Sequence, residues 1–293
     1  MARLTRPTGS AAPPQARVAA KMPVMNSELA FIGGGNMASA IIGGLLRQGM
    51  APAHICVVEP LAEARARLEK QGVRTLAEAG PALANVERVI WAIKPQIFPE
   101  VARAARAHVG GALHLSVAAG IRSDSLAQWL GSERIVRAMP NTPALVGLGQ
   151  TGLFARPAVH AEERSWVEAV MATTGAYLWV DTESLLDAVT AISGSGPAYV
   201  FYFIEALVAA GEKMGLSAAQ AHQLAVGTFV GAATLAQQSD EPPAVLRERV
   251  TSKGGTTYAA LTQLEAQAVG QAIAQAAEAA RARAQELGDA FGN

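Results

Sequence analysis

The sequence predicts an α/β fold: a doubly wound, mostly parallel sheet followed by an all-helical C-terminal domain. Three observations carry this. Short apolar runs alternate with helical patterns from Leu29 to Val180. A glycine-rich turn, Gly33-Gly34-Gly35, joins the first apolar run to the first helical pattern. Strand signals stop at about Asp187, and only long helical patterns follow. Strands that alternate with helices form βαβ units, and right-handed crossovers wind those units on both faces of one sheet.

The expected strands are Leu29–Ile32, Ile55–Val58, Val89–Ile93, Leu113–Val117, Ile135–Met139, Gly152–Ala155 and Tyr177–Val180. Ile55-Cys56-Val57-Val58 is apolar at every position, as a strand covered on both faces requires. Between them, helical patterns cover Met37–Gln48, Ala62–Gln71, Val101–His108, Ser123–Leu130 and Glu162–Thr173. In the second half, a long apolar helix opens at Pro197, runs to Met214 and stops at Gly215. Ser217-Ala218-Ala219-Gln220 is a capping box for a helix reaching about Gln238. Pro242 and Pro243 start another, and an alanine-rich helix covers Gly270 to Leu287. The Pro197 helix carries Tyr199, Val200, Phe201, Phe203, Ile204, Leu207 and Val208, which predicts a buried central helix together with a subunit interface.

Composition narrows the function. The chain has 293 residues, 51% of them hydrophobic, enough for a large core and two domains. Lys+Arg 24 balances Asp+Glu 24, so no net charge draws the chain to nucleic acid or to an anionic membrane. No apolar stretch in the sequence approaches the roughly 20 residues of a bilayer span. The single cysteine, Cys56, excludes an internal disulfide and reads as a buried strand residue in a reducing, cytoplasmic compartment. Residues 1–26 hold Arg3, Arg6, Arg17 and Lys21 among prolines and alanines, with no acidic residue through Met25. That segment resembles a transit peptide in charge, but reads better as a disordered or non-native extension, with Met22 or Met25 as the working start.

The turn Gly33-Gly34-Gly35-Asn36-Met37-Ala38 is G-x-G-x-x-A between a strand and a helix. Gly33 permits the tight turn, Gly35 lets a pyrophosphate approach the backbone, and Ala38 allows close helix packing. Glu59 ends the second strand at the spacing where an acidic residue reads a ribose 2′-hydroxyl. It would repel a 2′-phosphate and favours NAD, while Arg65 and Arg67 on the next helix offset it. Ala92, Lys94 and Pro95 close the third expected strand, Val117, Ala118 and Ala119 the fourth, and Met139-Pro140-Asn141-Thr142-Pro143 the fifth. Ligands collect outside the carboxyl ends of parallel strands, so these segments should line one crevice. Residues 27–187 are therefore expected to be a dinucleotide-binding domain of Rossmann type, and 188–293 the helical domain.

A second seat lies near the other end. Val250-Thr251-Ser252-Lys253-Gly254-Gly255-Thr256-Thr257-Tyr258 places two glycines in a hydroxyl-rich loop ahead of a helix. Backbone N–H groups at a helix start, with no side chain in the way, hold a small anion. No metal site is read, because the histidines lack ligand spacing. Ser193-Gly194-Ser195-Gly196-Pro197 lacks the frame of a nucleophile elbow and reads as a glycine-rich loop before Pro197. Asp181, Glu183 and Asp187 read as helix N-terminal charges. Hydroxyls and backbone donors without a strong acid suit an easily protonated substrate such as an imine.

Taken together, Phe31-Ile32-Gly33-Gly34-Gly35-Asn36-Met37, Ala92-Ile93-Lys94-Pro95, Met139-Pro140-Asn141-Thr142-Pro143, Ser193-Gly194-Ser195-Gly196-Pro197-Ala198-Tyr199, Lys213-Met214-Gly215-Leu216 and Thr251-Ser252-Lys253-Gly254-Gly255-Thr256-Thr257 resemble the pyrroline-5-carboxylate reductase family. The resemblance implies an oxidoreductase of proline biosynthesis, transferring a hydride from NAD(P)H to the ring imine carbon of 1-pyrroline-5-carboxylate. It implies a carboxylate held by Ser252, Gly254, Gly255 and Thr256, with Asn141 also at the substrate, and a ring nitrogen bonded by Thr257. It implies cofactor contacts at Gly33, Gly34, Gly35, Asn36 and Met37, at Ala92, Lys94 and Pro95, and at Val117, Ala118 and Ala119. It further implies NADPH as the usual cofactor, with NADH admitted by Glu59, and a helical C-terminal dimerisation domain in a homodimer or higher homo-oligomer. Lys253 stands where the family often has proline, and Arg249 where some members present asparagine to the cofactor. A β-hydroxyacid reductase of the same two-domain type is the nearest alternative, and a nucleotide-sensing protein without catalysis is another.

Overall fold

The structure is a computed structural model that describes residues 28–291; the extension expected over 1–26 lies outside them. Eight strands form one sheet: β1 (Leu29–Ile32), β2 (Ile55–Val58), β3 (Arg74–Leu76), β4 (Arg88–Trp91), β5 (Leu113–Ser116), β6 (Ile135–Met139), β7 (Gly149–Ala155) and β8 (Gly175–Trp179). Their order is β3-β2-β1-β4-β5-β6-β7-β8. Strands β1 to β6 pair in parallel, β6 and β7 pair antiparallel, and β7 and β8 pair in parallel. The mostly parallel, doubly wound sheet is as expected. The short edge strand β3 is an addition, because Arg74-Thr75-Leu76 carries no apolar run to announce it.

Helices α1 (Asn36–Arg47), α2 (Ala62–Glu69), α3 (Phe98–Val109), α4 (Ser123–Leu130) and α5 (Ala161–Ala172) flank the strands. Alternation along β1 divides the core. Leu29 and Phe31 pack with Ile41, Ile42 and Leu45 of α1 and with Val167 and Val170 of α5. Ala30 and Ile32 pack on the opposite face with Trp91, with Phe98 and Ala102 of α3, and with Trp129 of α4. Cys56 lies in this second cluster and burial pushes its thiol pKa up, which fits the inert strand residue read from the sequence.

From Leu185 to Lys213 the chain is helical without a break. It passes from α6 (Leu185–Val189) through a π-helical turn, Thr190–Gly194, into α7 (Gly196–Lys213). Two expectations are corrected here. The motif at 193–197 ends the π-helical turn, bends at Ser195 and opens α7, so it is not a free-standing loop. The run of 29 residues is also long and apolar enough, by length and composition, to cross a membrane. The sequence concealed both points, because glycine and proline at 194–197 read as an interruption.

Beyond α7 lie α8 (Ala218–Gln238), α9 (Pro243–Arg249), α10 (Thr256–Ala266) and α11 (Val269–Phe291). The capping box holds: Gln220 N–H donates to Ser217 Oγ at 3.3 Å, and Ser217 N–H donates to Gln220 Oε1 at 2.9 Å. Contacts divide the described chain into two compact units, Phe203–Ala268 and 28–202 together with 269–291. This division differs from the expected break at 187/188, because α11 packs back on α6 and the π turn. Its end reaches further, since Phe291 packs against the second core cluster. On α7 only Gly211 is buried, while Phe201, Tyr202 and Leu207 are exposed. Among the described residues α7 is therefore not a buried central helix.

Candidate active site

The order of strands reverses between β1 and β4, where an α/β sheet opens its ligand crevice. Main-chain bonds tie the expected cofactor segments to each other at that edge. Gly33 N–H donates to Val58 O at 2.8 Å, Ala92 N–H to Ile32 O at 2.8 Å, and Val117 N–H to Trp91 O at 3.0 Å. Gly33 has φ +98°, and a Cβ there would lie 2.5 Å from Ala92 O, so only glycine passes. Gly35 is the N-cap of α1, without a side-chain cap, and nothing lies within 4 Å of where its Cβ would be. Open space against the bare start of a helix fits a dinucleotide pyrophosphate. Asn36 is exposed and Met37 half-buried at this start, Lys94 is exposed, Ala92, Pro95 and Val117 are half-buried, and Ala118 is buried beside exposed Ala119.

Glu59 is buried at the end of β2, only 8% exposed. Its Oε2 accepts Gly34 N–H at 2.9 Å and its Oε1 accepts Leu61 N–H at 2.9 Å. The carboxylate thus staples the glycine turn to the end of β2. Arg65 folds back over the same turn, with Nη1 donating to Glu59 O at 2.8 Å and to Pro60 O at 2.7 Å. Arg67 lines a groove together with Gly34, Gly35, Asn36, Ser39 and Gln71. Arg249, which stands where some family members present asparagine to the cofactor, donates to Glu241 Oε1 at 2.6 Å on an exposed surface.

Asn141 is 8% exposed and its side chain serves the fold. Oδ1 accepts Gln150 N–H at 2.9 Å, and Nδ2 donates to Ser193 O at 3.0 Å. The reason for the second bond is local. Ser193 O would look to the N–H four residues ahead, but that residue is Pro197, which has none. Asn141 supplies the missing donor. Across the same turn, a Cβ on Gly194 would lie 2.6 Å from Met139 Cε, so glycine there admits the end of β6.

In the other unit, α9 and α10 are joined by the hydroxyl-rich loop. Gly254 turns the chain at φ +73°, and Gly255 N–H closes the turn on Ser252 O at 3.0 Å. A Cβ on Gly255 would lie 2.6 Å from Ser252 Oγ. Gly255 is the N-cap of α10 with no side-chain cap, and the first intrahelical bond runs from Ala259 N–H to Gly255 O at 3.1 Å. The amides of Thr256, Thr257 and Tyr258 therefore stand ahead of the helical ladder, free for an anion. The Gly255 amide, one of the expected donors, is engaged inside the turn. Ser252 and Thr256 are exposed and Thr257 is half-buried.

The sequence missed a set of ion pairs beside the crevice. Glu183 accepts Ser123 N–H and Ser123 Oγ–H, each at 2.6 Å, and pairs with Arg137 at 2.6 Å. Asp187 takes both Nη groups of Arg122, at 3.1 and 2.9 Å. These acids bond α4 and β6 rather than their own helix start, and no spacing in the sequence signals such partners. His114 on β5 is fully buried, accepts Trp91 Nε1–H at 3.1 Å, and is pushed down to about 4 by burial, with Arg134 adding to the effect. Among the described residues no group of acids, histidines and cysteine can hold a metal ion.

Known proteins resemble this chain along nearly its whole length. Residues 183–287 match a model described as pyrroline-5-carboxylate reductase dimerisation, and 28–120 match one described as NADP oxidoreductase, coenzyme F420-dependent. A pyrroline-5-carboxylate reductase from Pseudomonas aeruginosa is 43% identical over 267 residues, covering 90% of this chain and 98% of that protein. A solved reductase of that name from Coxiella burnetii superposes with TM-score 0.83 at 38% identity, covering 89% of this chain and 98% of the other. The Plasmodium falciparum enzyme, solved with NADP bound, gives TM-score 0.82 at 29% identity, covering 91% and 100%. With a stapled glycine turn at one end, an uncapped glycine-started helix at the other and this degree of identity throughout, the chain belongs to the pyrroline-5-carboxylate reductase family.

Proposed function

We infer that the protein reduces 1-pyrroline-5-carboxylate to L-proline with NAD(P)H, the closing reduction of proline biosynthesis. Family membership supports the reaction, and the uncapped start of α10 is the observation that carries the substrate reading. The substrate is a small cyclic carboxylate. Its anion sits on the amides of Thr256 and Thr257, with Ser252 and Gly254 shaping the turn beneath it. Thr257 Oγ1–H donates to the ring nitrogen as that atom gains electron density, and the ring nitrogen takes its proton from water. When bound, NAD(P)H supplies the hydride to the imine carbon. Gly33, Gly34, Gly35, Asn36 and Met37 hold the pyrophosphate, while Ala92, Lys94, Pro95, Val117, Ala118 and Ala119 wall the crevice. Asn141 contributes by fixing the Ser193 turn. Positioning of two reactants accounts for most of the rate.

Residues 27–187 would act as the dinucleotide-binding domain, and 188–293 as the substrate-binding and dimerisation domain. Phe201, Tyr202, Leu207, Leu224 and Val230 are exposed within one chain and offer the apolar face a homodimer or higher homo-oligomer would cover. A cytoplasmic setting fits the lone buried cysteine. Consumption of NAD(P)H with pyrroline-5-carboxylate, set against the reverse reaction with hydroxyacids, tests the activity. Crystals soaked with L-proline test the seat, and density for proline remote from α10's first turn would overturn it.

A further inference from the structure

We propose that Arg65 is the residue that selects the 2′-phosphorylated cofactor, and that Glu59 is a staple rather than a reader of the ribose. The inference deepens the reading of the cofactor crevice given above and rests on it. A free carboxylate at the end of β2 would repel a 2′-phosphate and accept both hydroxyls of an unphosphorylated ribose. Glu59 is not free in that sense. Each of its oxygens already accepts a main-chain N–H at 2.9 Å, one from the glycine turn and one from the start of α2, and the residue is 92% covered. Its charge is compensated by two oriented amide dipoles.

The guanidinium of Arg65 lies over the same turn. Only Nη1 is engaged, held by two carbonyl oxygens at 2.8 and 2.7 Å. Nε and Nη2 have no partner among the described residues. One edge of a rigid fork is thus anchored to the chain and the other is left for an anion. This arrangement forgoes little side-chain entropy on binding, and a guanidinium edge matches phosphate oxygens in pairs. The ribose of a dinucleotide lies at the carboxyl end of the second strand, where this turn sits. Arg67 is the rival cation; it lines the groove between α1 and α2 at Gly34, Gly35 and Asn36, but unlike Arg65 its guanidinium is not anchored to the carbonyls at the end of β2.

The test is titration calorimetry on the full chain with NADPH, NADH, adenosine 2′-monophosphate and adenosine, without substrate. Arg65→Met should weaken NADPH and adenosine 2′-monophosphate about ten- to a hundredfold, the loss of one to two charge-assisted bonds, while NADH and adenosine stay within about twofold. Arg65→Lys should recover part of the NADPH affinity. Glu59→Gln should weaken NADPH and NADH by the same factor, because it loosens the turn both cofactors share. Melting temperatures taken on the same samples should stay near wild type for the exposed-edge variants at Arg65. Equal losses for both cofactors in Arg65→Met would overturn the proposal. So would a phosphate-selective loss in Arg67→Met instead, or a loss confined to NADH in Glu59→Gln. If the binding split holds but pyrroline-5-carboxylate is not turned over, the assigned reaction fails and this inference stands.

Discussion

Replacing Asn141 with alanine tests the link between the sheet and the π turn. The substitution removes a donor 3.0 Å from Ser193 O and an acceptor 2.9 Å from Gln150 N. No neighbouring helix residue can take over at Ser193, because the residue four ahead is Pro197. A main-chain group left without a partner costs about 1–3 kcal/mol when buried; both bonds are part-buried and Gln150 is exposed, so the pair should cost about 2 kcal/mol. That corresponds to a fall in melting temperature of several degrees for a chain of this size. Asn141→Asp keeps the acceptor for Gln150 but sets a carboxylate oxygen against Ser193 O, and should be no more stable than the alanine variant. Guanidinium unfolding at matched protein concentration measures both, since association would otherwise shift the midpoint. An alanine variant within about 0.5 kcal/mol of wild type would refute the reasoning, because a part-buried carbonyl does not lose a donor without cost.

Other expectations follow from the same geometry. Gly33→Ala places a methyl 2.5 Å from Ala92 O at φ +98°, and should abolish measurable dinucleotide binding in calorimetry; near wild-type affinity would show that the turn relaxes freely. Thr257→Ala should lower turnover by about one to three powers of ten, the range for one positioned donor, while the cofactor dissociation constant is unchanged; an unaltered turnover removes that residue from the chemistry. His114 has its folded value depressed to about 4 from 6.5, so the unfolded chain takes up the proton first. Its contribution is complete above the unfolded value and is lost as pH falls towards the folded one, by about 3 kcal/mol in all. His114→Phe should remove one proton's slope from stability against pH across that window, and an unchanged slope would contradict the assignment.

The parts of the fold that depend on nearest neighbours in sequence could be read in advance. β1 and β2 are continuous apolar runs, and Ser217 with Gln220 announces a helix start that the hydrogen bonds bear out. The parts that depend on partners distant in sequence could not. The segment at 193–197 resembles a loop until Asn141, from the end of another strand, supplies the bond that proline lacks. Glu59 resembles a free carboxylate until Gly34 and Leu61 donate their amides to its oxygens. The apolar side of α7 resembles an interior surface, yet among the described residues much of it is left exposed, Phe201, Tyr202 and Leu207 included. The loop before α10 was legible because its chemistry is local: glycines, hydroxyls and a helix start, all within a few residues.

The return of α11 has a consequence for how the protein is made. The chain leaves the nucleotide-binding unit near residue 202 and re-enters it at 269, and Phe291 seals against a core built from residues synthesised long before. A ribosome delivers the chain from its N-terminus. That unit therefore waits, one wall missing, through the synthesis of the whole intervening helical segment, and nascent chains halted before Val269 should expose apolar core to chaperones and proteases that the finished protein never shows them.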